Sequence, residues 1–206
     1  MKTIAILSQK GGAGKTTLCL HLAVAAQQAG QTVVVIDLDP QTSAAGWKDS
    51  RTTDNPVVVA VPESRLVHAL KTAEEGGADL VLIDSAPHAR DVALAAAEVS
   101  DLILIPCRPG ILDLRAISPT ARIAKLAGKP TFVVLNAMPN RAPNVLADAR
   151  EAVAVHGLAV APVFLQQRAS YAHSLTAGQT AQEYERGGKA AEDVTSLYNW
   201  LLEEIT

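Results

Sequence analysis

Ser8-Gln9-Lys10-Gly11-Gly12-Ala13-Gly14-Lys15-Thr16-Thr17 follows directly on the apolar, β-branched run Thr3–Leu7 and leads into a helical pattern over Thr16–Gln28. Few folds place a glycine-rich turn between a buried strand and a helix in this way. The glycines let the backbone wrap closely, so that its N–H groups converge on one point. The helix that follows adds the positive end of its dipole. The spacing predicts a cradle for phosphate built from Gly11, Gly12, Ala13, Gly14, Lys15, Thr16 and Thr17. In it the Lys15 ammonium faces the β- and γ-phosphates and the Thr16 hydroxyl ligates Mg²⁺. Two details depart from the general pattern: Gln9 stands where a glycine is usual, and there is a second lysine, Lys10.

The rest of the chain repeats the alternation. Continuous apolar runs at Thr32–Ile36, Val57–Val61, Leu80–Ile83, Leu102–Ile105, Thr131–Leu135 and Val160–Phe164 read as strands buried on both faces. Helical patterns lie at Ser64–Glu75, Asp91–Val99, Leu114–Leu126, Ala142–Val155 and Gly188–Ile205. The last has an apolar stripe, Ala191, Val194, Tyr198, Leu201 and Ile205, that predicts docking on the core. With 49% apolar but only 3% aromatic residues, the core must be made of Ala, Val, Leu and Ile, which suits parallel strands under Ala-rich helices. The expected fold is a three-layer α/β/α, doubly wound, mostly parallel sheet of about seven strands, and the 206 residues suit a single domain.

In such a sheet ligands sit beyond the carboxyl ends of the strands. Asp37 and Asp39 follow one strand in Val33-Val34-Val35-Ile36-Asp37-Leu38-Asp39-Pro40-Gln41, and Asp84 ends another in Leu80-Val81-Leu82-Ile83-Asp84, with Pro87 after it. Asp84, at the tip of a buried strand, is placed beside the metal. Asn136 ends a further strand.

The Lys-Gly-Gly-x-Gly-Lys-Thr-Thr form, with Asp-x-Asp-Pro-Gln and Asp-x-x-Pro downstream, resembles the deviant Walker motif family of ParA/MinD ATPases. The resemblance implies ATP and Mg²⁺ as cofactors and slow hydrolysis to ADP and phosphate unless a partner completes the site. It implies that Lys10 reaches across an ATP-dependent homodimer to the partner's phosphates. It implies that Asp39 positions or activates the attacking water, with a water-mediated contact to Mg²⁺, while Asp37 organises the loop. Asn136 corresponds to the family's base-contacting asparagine. Gln166, Gln167 and Arg168 fall in the region that covers the base.

Several classes are excluded or set aside. There is no run of 18 apolar residues for a membrane span, and the last helix is acidic where a membrane-surface helix would be basic. Two scattered cysteines, Cys19 and Cys107, do not fit the paired ligands of the iron–sulfur branch and suit a reduced cytoplasmic interior. The five histidines have no metal-ligand spacing and read as surface or capping residues. With the cradle starting so near Met1, a helix-turn-helix domain ahead of it is not expected. What remains is the small ParA type. That implies a homodimer binding DNA non-specifically, and so nucleoid-associated with ATP, released by a small ParB-like centromere-binding protein. A MinD-like spatial regulator and an ATP-gated positioning scaffold are the alternatives. The net charge of −3 leaves any DNA contact to a local patch, for which Arg141, Arg150, Arg168, Arg186 and Lys189 are candidates.

Overall fold

All seven strands run parallel, in the order β3-β2-β4-β1-β5-β6-β7. The computed structural model describes residues 1–140 and 144–205. Arg141, the first residues of the helix expected from Ala142, and Thr206 lie outside the described residues. The strands are β1 (Lys2–Ile6), β2 (Val33–Asp37), β3 (Val57–Ala60), β4 (Leu80–Asp84), β5 (Leu102–Cys107), β6 (Thr131–Leu135) and β7 (Ala159–Val160). Between and after them run α1 (Lys15–Gln28), α2 (Ser43–Asp49), α3 (Leu66–Glu75), α4 (Arg90–Val99), α5 (Ile111–Arg115), α6 (Ser118–Ala127), α7 (Val145–Ala154), α8 (Ala169–Thr176), α9 (Ala181–Tyr184) and α10 (Lys189–Ile205).

Alternate residues of each central strand enter opposite layers. Ile4, Ile6, Leu80, Leu82, Leu102 and Leu104 pack with α1 and α10. Ala5, Leu7, Val81, Ile83, Ile103 and Ile105 pack with α3, α4, α6 and α7. Burial on both faces explains why these strands are continuously apolar. Each Leu or Ile so buried stabilises the fold by roughly 1.5–3 kcal/mol. The α10 stripe docks as expected, with Val194 and Leu201 fully buried.

Three expectations are corrected. The helix expected over Leu114–Leu126 is two, α5 and α6, because Pro119 lies in the first turn of α6 and cannot supply an N–H to a helix arriving from before it. The strand expected over Val160–Phe164 is only Ala159–Val160, because Pro162 interrupts the ladder. Backbone bonds still tie the segment down on either side, Ala161 N–H to Val133 O and Leu165 N–H to Leu135 O, both at 2.9 Å. Short helices α2, α8 and α9 stand where no helical pattern is evident.

Register brings the strand ends level. Asp37 on β2 lies opposite Asp84 on β4, and Ile6 on β1 also lies opposite Asp84. The glycine-rich turn leaves β1 at the same edge, so the two carboxylates and the cradle share one rim.

Candidate nucleotide site

Gly14 caps α1 in the left-handed conformation (φ 95°), and Gly12 is also at positive φ. A side chain at either position would be strained. Asn136 braces the loop from behind: its Nδ2 donates to Ala13 O at 3.2 Å, and its Oδ1 accepts from Ala137 N–H at 2.8 Å. A Cβ on Gly14 would collide with the Asn136 amide. On the other side, Gln9 N–H donates to the hydroxyl of Thr120, a fully buried residue of α6, at 3.1 Å.

The cradle opens into a cavity of about 240 Å³ lined by Gly11, Gly12, Gly14, Lys15, Thr16, Thr17, Asp39 and Pro87. The sequence therefore brings together Lys15, Thr16, Asp39 and the Asp84–Pro87 segment. Thr16 Oγ1 donates to Asp84 Oδ2 at 2.6 Å. Burial pushes the Lys15 ammonium below its usual range, against the pull of Asp84 and Asp39. Burial pushes the Asp84 carboxyl up to about 7, with Asp37 and Asp39 adding to the shift and the Thr16 hydroxyl and Lys15 opposing it.

Asp84 Oδ1 is buried without a hydrogen-bond partner. A buried carboxylate oxygen with no donor, beside a threonine hydroxyl, fits a divalent cation. Among the described residues no cluster of three His, Cys, Asp or Glu could hold a metal alone. Thr16 and Asp84 would hold Mg²⁺ together with phosphate oxygens, and the ion would neutralise charge on the transferring phosphoryl group.

The neighbouring aspartates divide their work. Asp37 is buried and accepts from Asp39 N–H (2.9 Å), Ala44 N–H (3.0 Å) and Ala45 N–H (3.3 Å). It thereby shapes the loop and caps α2 from a distance, as expected of a loop organiser. Asp39 is half-buried and turned to the cavity, and among the described residues its carboxylate accepts only from Gln41 N–H, at 2.9 Å.

Lys10 is placed differently from Lys15. Its Nζ pairs with Asp113 Oδ1 on α5 at 2.7 Å, and its side chain is 41% exposed. Asp113 carries no motif, and nothing in its local sequence links it to a lysine over a hundred positions away. Arg168 is also engaged, with Asp193 at 2.9 Å and Gln166 Oε1 at 2.6 Å.

These features match known proteins along the whole chain. Residues 4–181 match the family described as the CobQ/CobB/MinD/ParA nucleotide binding domain. The chain belongs to this family. It is a ParA/MinD-type P-loop ATPase, and the expected cofactors, ATP and Mg²⁺, agree with that membership. The chain is 31% identical over 207 residues to maintenance of carboxysome distribution protein A of Gloeobacter kilaueensis, covering 99% of this chain and 94% of that one. It is 32% identical over 115 residues to the protein ParA of Rhizobium radiobacter, covering 55% of this chain and 51% of that one. The ATP complex of a Cyanothece McdA variant superposes with a TM-score of 0.77 at 20% identity, over 98% of this chain and 96% of that one, which shows the shared fold.

His21 corrects the reading of the histidines as surface or capping residues, because it is fully buried in α1. Ala181 N–H of α9 donates to His21 Nε2 at 3.1 Å, so that nitrogen carries no proton, and Nδ1–H donates to Thr17 O at 2.7 Å. Burial pushes its pKa down to about 4. The neutral ring thus ties the cradle helix to α9. A depressed histidine contributes its stability above the unfolded value of about 6.5 and loses it as pH falls toward 4. Asp84 works the other way: raised to about 7, it favours the fold more as pH falls through that value. The difference between wild type and His21→Gln isolates the histidine. Urea unfolding should show the wild type losing about 3 kcal/mol relative to the variant between pH 6.5 and 4. Parallel profiles would remove His21 from this role.

Proposed function

We infer that the chain is an ATP-gated positioning switch of the ParA type. ATP binding drives a homodimer, the dimer binds DNA without sequence preference, and hydrolysis stimulated by a partner protein resets it. The observation that carries this reading is the separation of the two lysines. Lys15 lines its own cavity, while Lys10 stands at the rim on Asp113. A lysine held at the rim is free to serve the phosphates of a second copy once Asp113 releases it. Charge that builds on the transferring phosphoryl group is then offset from both subunits. In the same reading Asn136 serves the adenine edge, which requires its amide to give up Ala13 O and Ala137 N–H.

A single chain of net charge −3 lacks the field for strong non-specific DNA binding. Two copies add their local cations, with Arg186 and Lys189 as exposed candidates and Arg168 committed to Asp193. DNA retention should therefore require ATP and fall steeply with salt. Co-sedimentation with plasmid DNA in ATP, in ADP and without nucleotide checks this, and equal retention in all three would refute the switch.

The cargo is a protein body in the reading favoured by the full-length match to a carboxysome distribution protein. The ParA match favours segregation of a plasmid or chromosome through a ParB-like protein. Removing the gene separates them: replicon loss follows in one case and clustering of a cytoplasmic body in the other. A membrane-positioned regulator has less support, since no helix among the described residues is long and apolar enough to cross a membrane and α10 is acidic outside its buried stripe.

A further inference from the structure

Behind the cradle, between α4 and α6, lies a second cavity of about 220 Å³ that no step of nucleotide chemistry uses. It is lined by Gln9, Arg90, Pro119, Arg122, Ile123 and Leu126. Its charged lining is cationic, Arg90 and Arg122, with no carboxylate. Arg90 and Arg122 have no ion-pair partner among the described residues. Gln9 Nε2 is buried without an acceptor. A buried donor left unpaired is costly, and the Arg90 and Arg122 guanidinium groups beside it, both exposed to solvent, make an anionic acceptor the complementary one. The remaining wall is apolar: Pro119, the buried Ile123, and Leu126, which is 66% exposed.

We propose that this cavity docks an acidic, apolar segment of a partner protein, with one carboxylate between Arg90 and Arg122 and within reach of Gln9 Nε2, and a leucine-like side chain against Ile123 and Leu126. Duplex DNA fits less well: a phosphodiester on a convex helix leaves the apolar wall uncovered and does not enter so small a recess. The position gives the contact a consequence. Gln9 directly precedes Lys10 in the glycine-rich loop, and its N–H is held by Thr120 of α6. Arg90 begins α4, three residues after Pro87 of the Asp84–Pro87 segment. A carboxylate bridging these elements fixes the cradle and the Asp84 segment relative to each other, and so raises turnover. This last step rests on the reading that a second protein acts on this ATPase.

The test uses a fluorescein-labelled peptide of alternating Leu and Glu, its Leu/Lys counterpart, and a short duplex DNA, by fluorescence polarisation without nucleotide. Wild type should bind the Leu/Glu peptide. Arg122→Glu should bind it about tenfold more weakly or worse, and should gain affinity for the Leu/Lys peptide. Arg90→Glu provides the second variant should Arg122→Glu misfold by circular dichroism. The Leu/Glu peptide should raise ATP turnover of wild type and not of Arg122→Glu. Equal peptide affinity in wild type and both variants, no peptide binding at all, or duplex binding lost with Arg122 while the peptide goes unbound would each overturn the proposal. Peptide binding is measured without nucleotide, so it stands or falls separately from ATP-driven dimerisation.

Discussion

Lys15→Ala should abolish ATP binding, with affinity falling by about a hundredfold or more by isothermal titration calorimetry in Mg²⁺. Charge-assisted hydrogen bonds contribute roughly 1.5–3 kcal/mol each, and Lys15 is placed to make more than one to phosphate. It is also the one lysine in the wall of the nucleotide cavity, with only 7% of its surface exposed. Its loss cannot be covered by Lys10, whose ammonium is on Asp113. The variant should still fold, because removing the cation leaves Asp84 to protonate, a form that its burial already favours. Unchanged affinity in a folded variant would end the assignment of this loop to phosphate.

Asp39→Ala should have the opposite profile. In the proposed mechanism Asp39 orients or activates the attacking water, so nucleotide affinity should stay within a few-fold while hydrolysis drops by about 10²–10⁴. ATP-bound dimers should then accumulate and be visible by light scattering. The effect should be confined to chemistry because the Asp39 side chain holds little of the fold: among the described residues its carboxylate accepts one hydrogen bond, from Gln41 N–H in its own turn. Asp37, two positions earlier, is buried and holds three backbone donors, so it belongs to the architecture. Wild-type turnover in Asp39→Ala would remove that residue from the reaction.

The layered sheet was legible because burial on both faces forces runs such as Leu80–Ile83 to be apolar throughout, a pattern that survives without any partner information. The cradle was legible because glycine, lysine and threonine are needed at fixed spacing. What escaped was set by contacts distant in sequence. The α2 helix has no local cap; its N-terminal donors are satisfied by Asp37 from a strand end. Asp113 meets Lys10 only after β5 is laid beside β1. His21 could have been read as buried, since α1 is apolar nearly all round from Leu18 to Ala26 and a helix of that kind has no solvent face. Pro119 and Pro162 were visible breaks inside patterns that continued on both sides of them.

The brace behind Gly14 has a further implication. Asn136 grips Ala13 O, Thr120 grips Gln9 N–H, and the space a Cβ would need at Gly14 is taken by the Asn136 amide. The conformational entropy of ordering this turn is therefore charged to folding and shared with β6 and α6, so little of the intrinsic phosphate affinity is spent on rigidifying the receptor. Association should then be governed by diffusion and charge, and a mutation deep in β6 or α6 could slow or weaken ligand capture without touching a single atom that meets the phosphates.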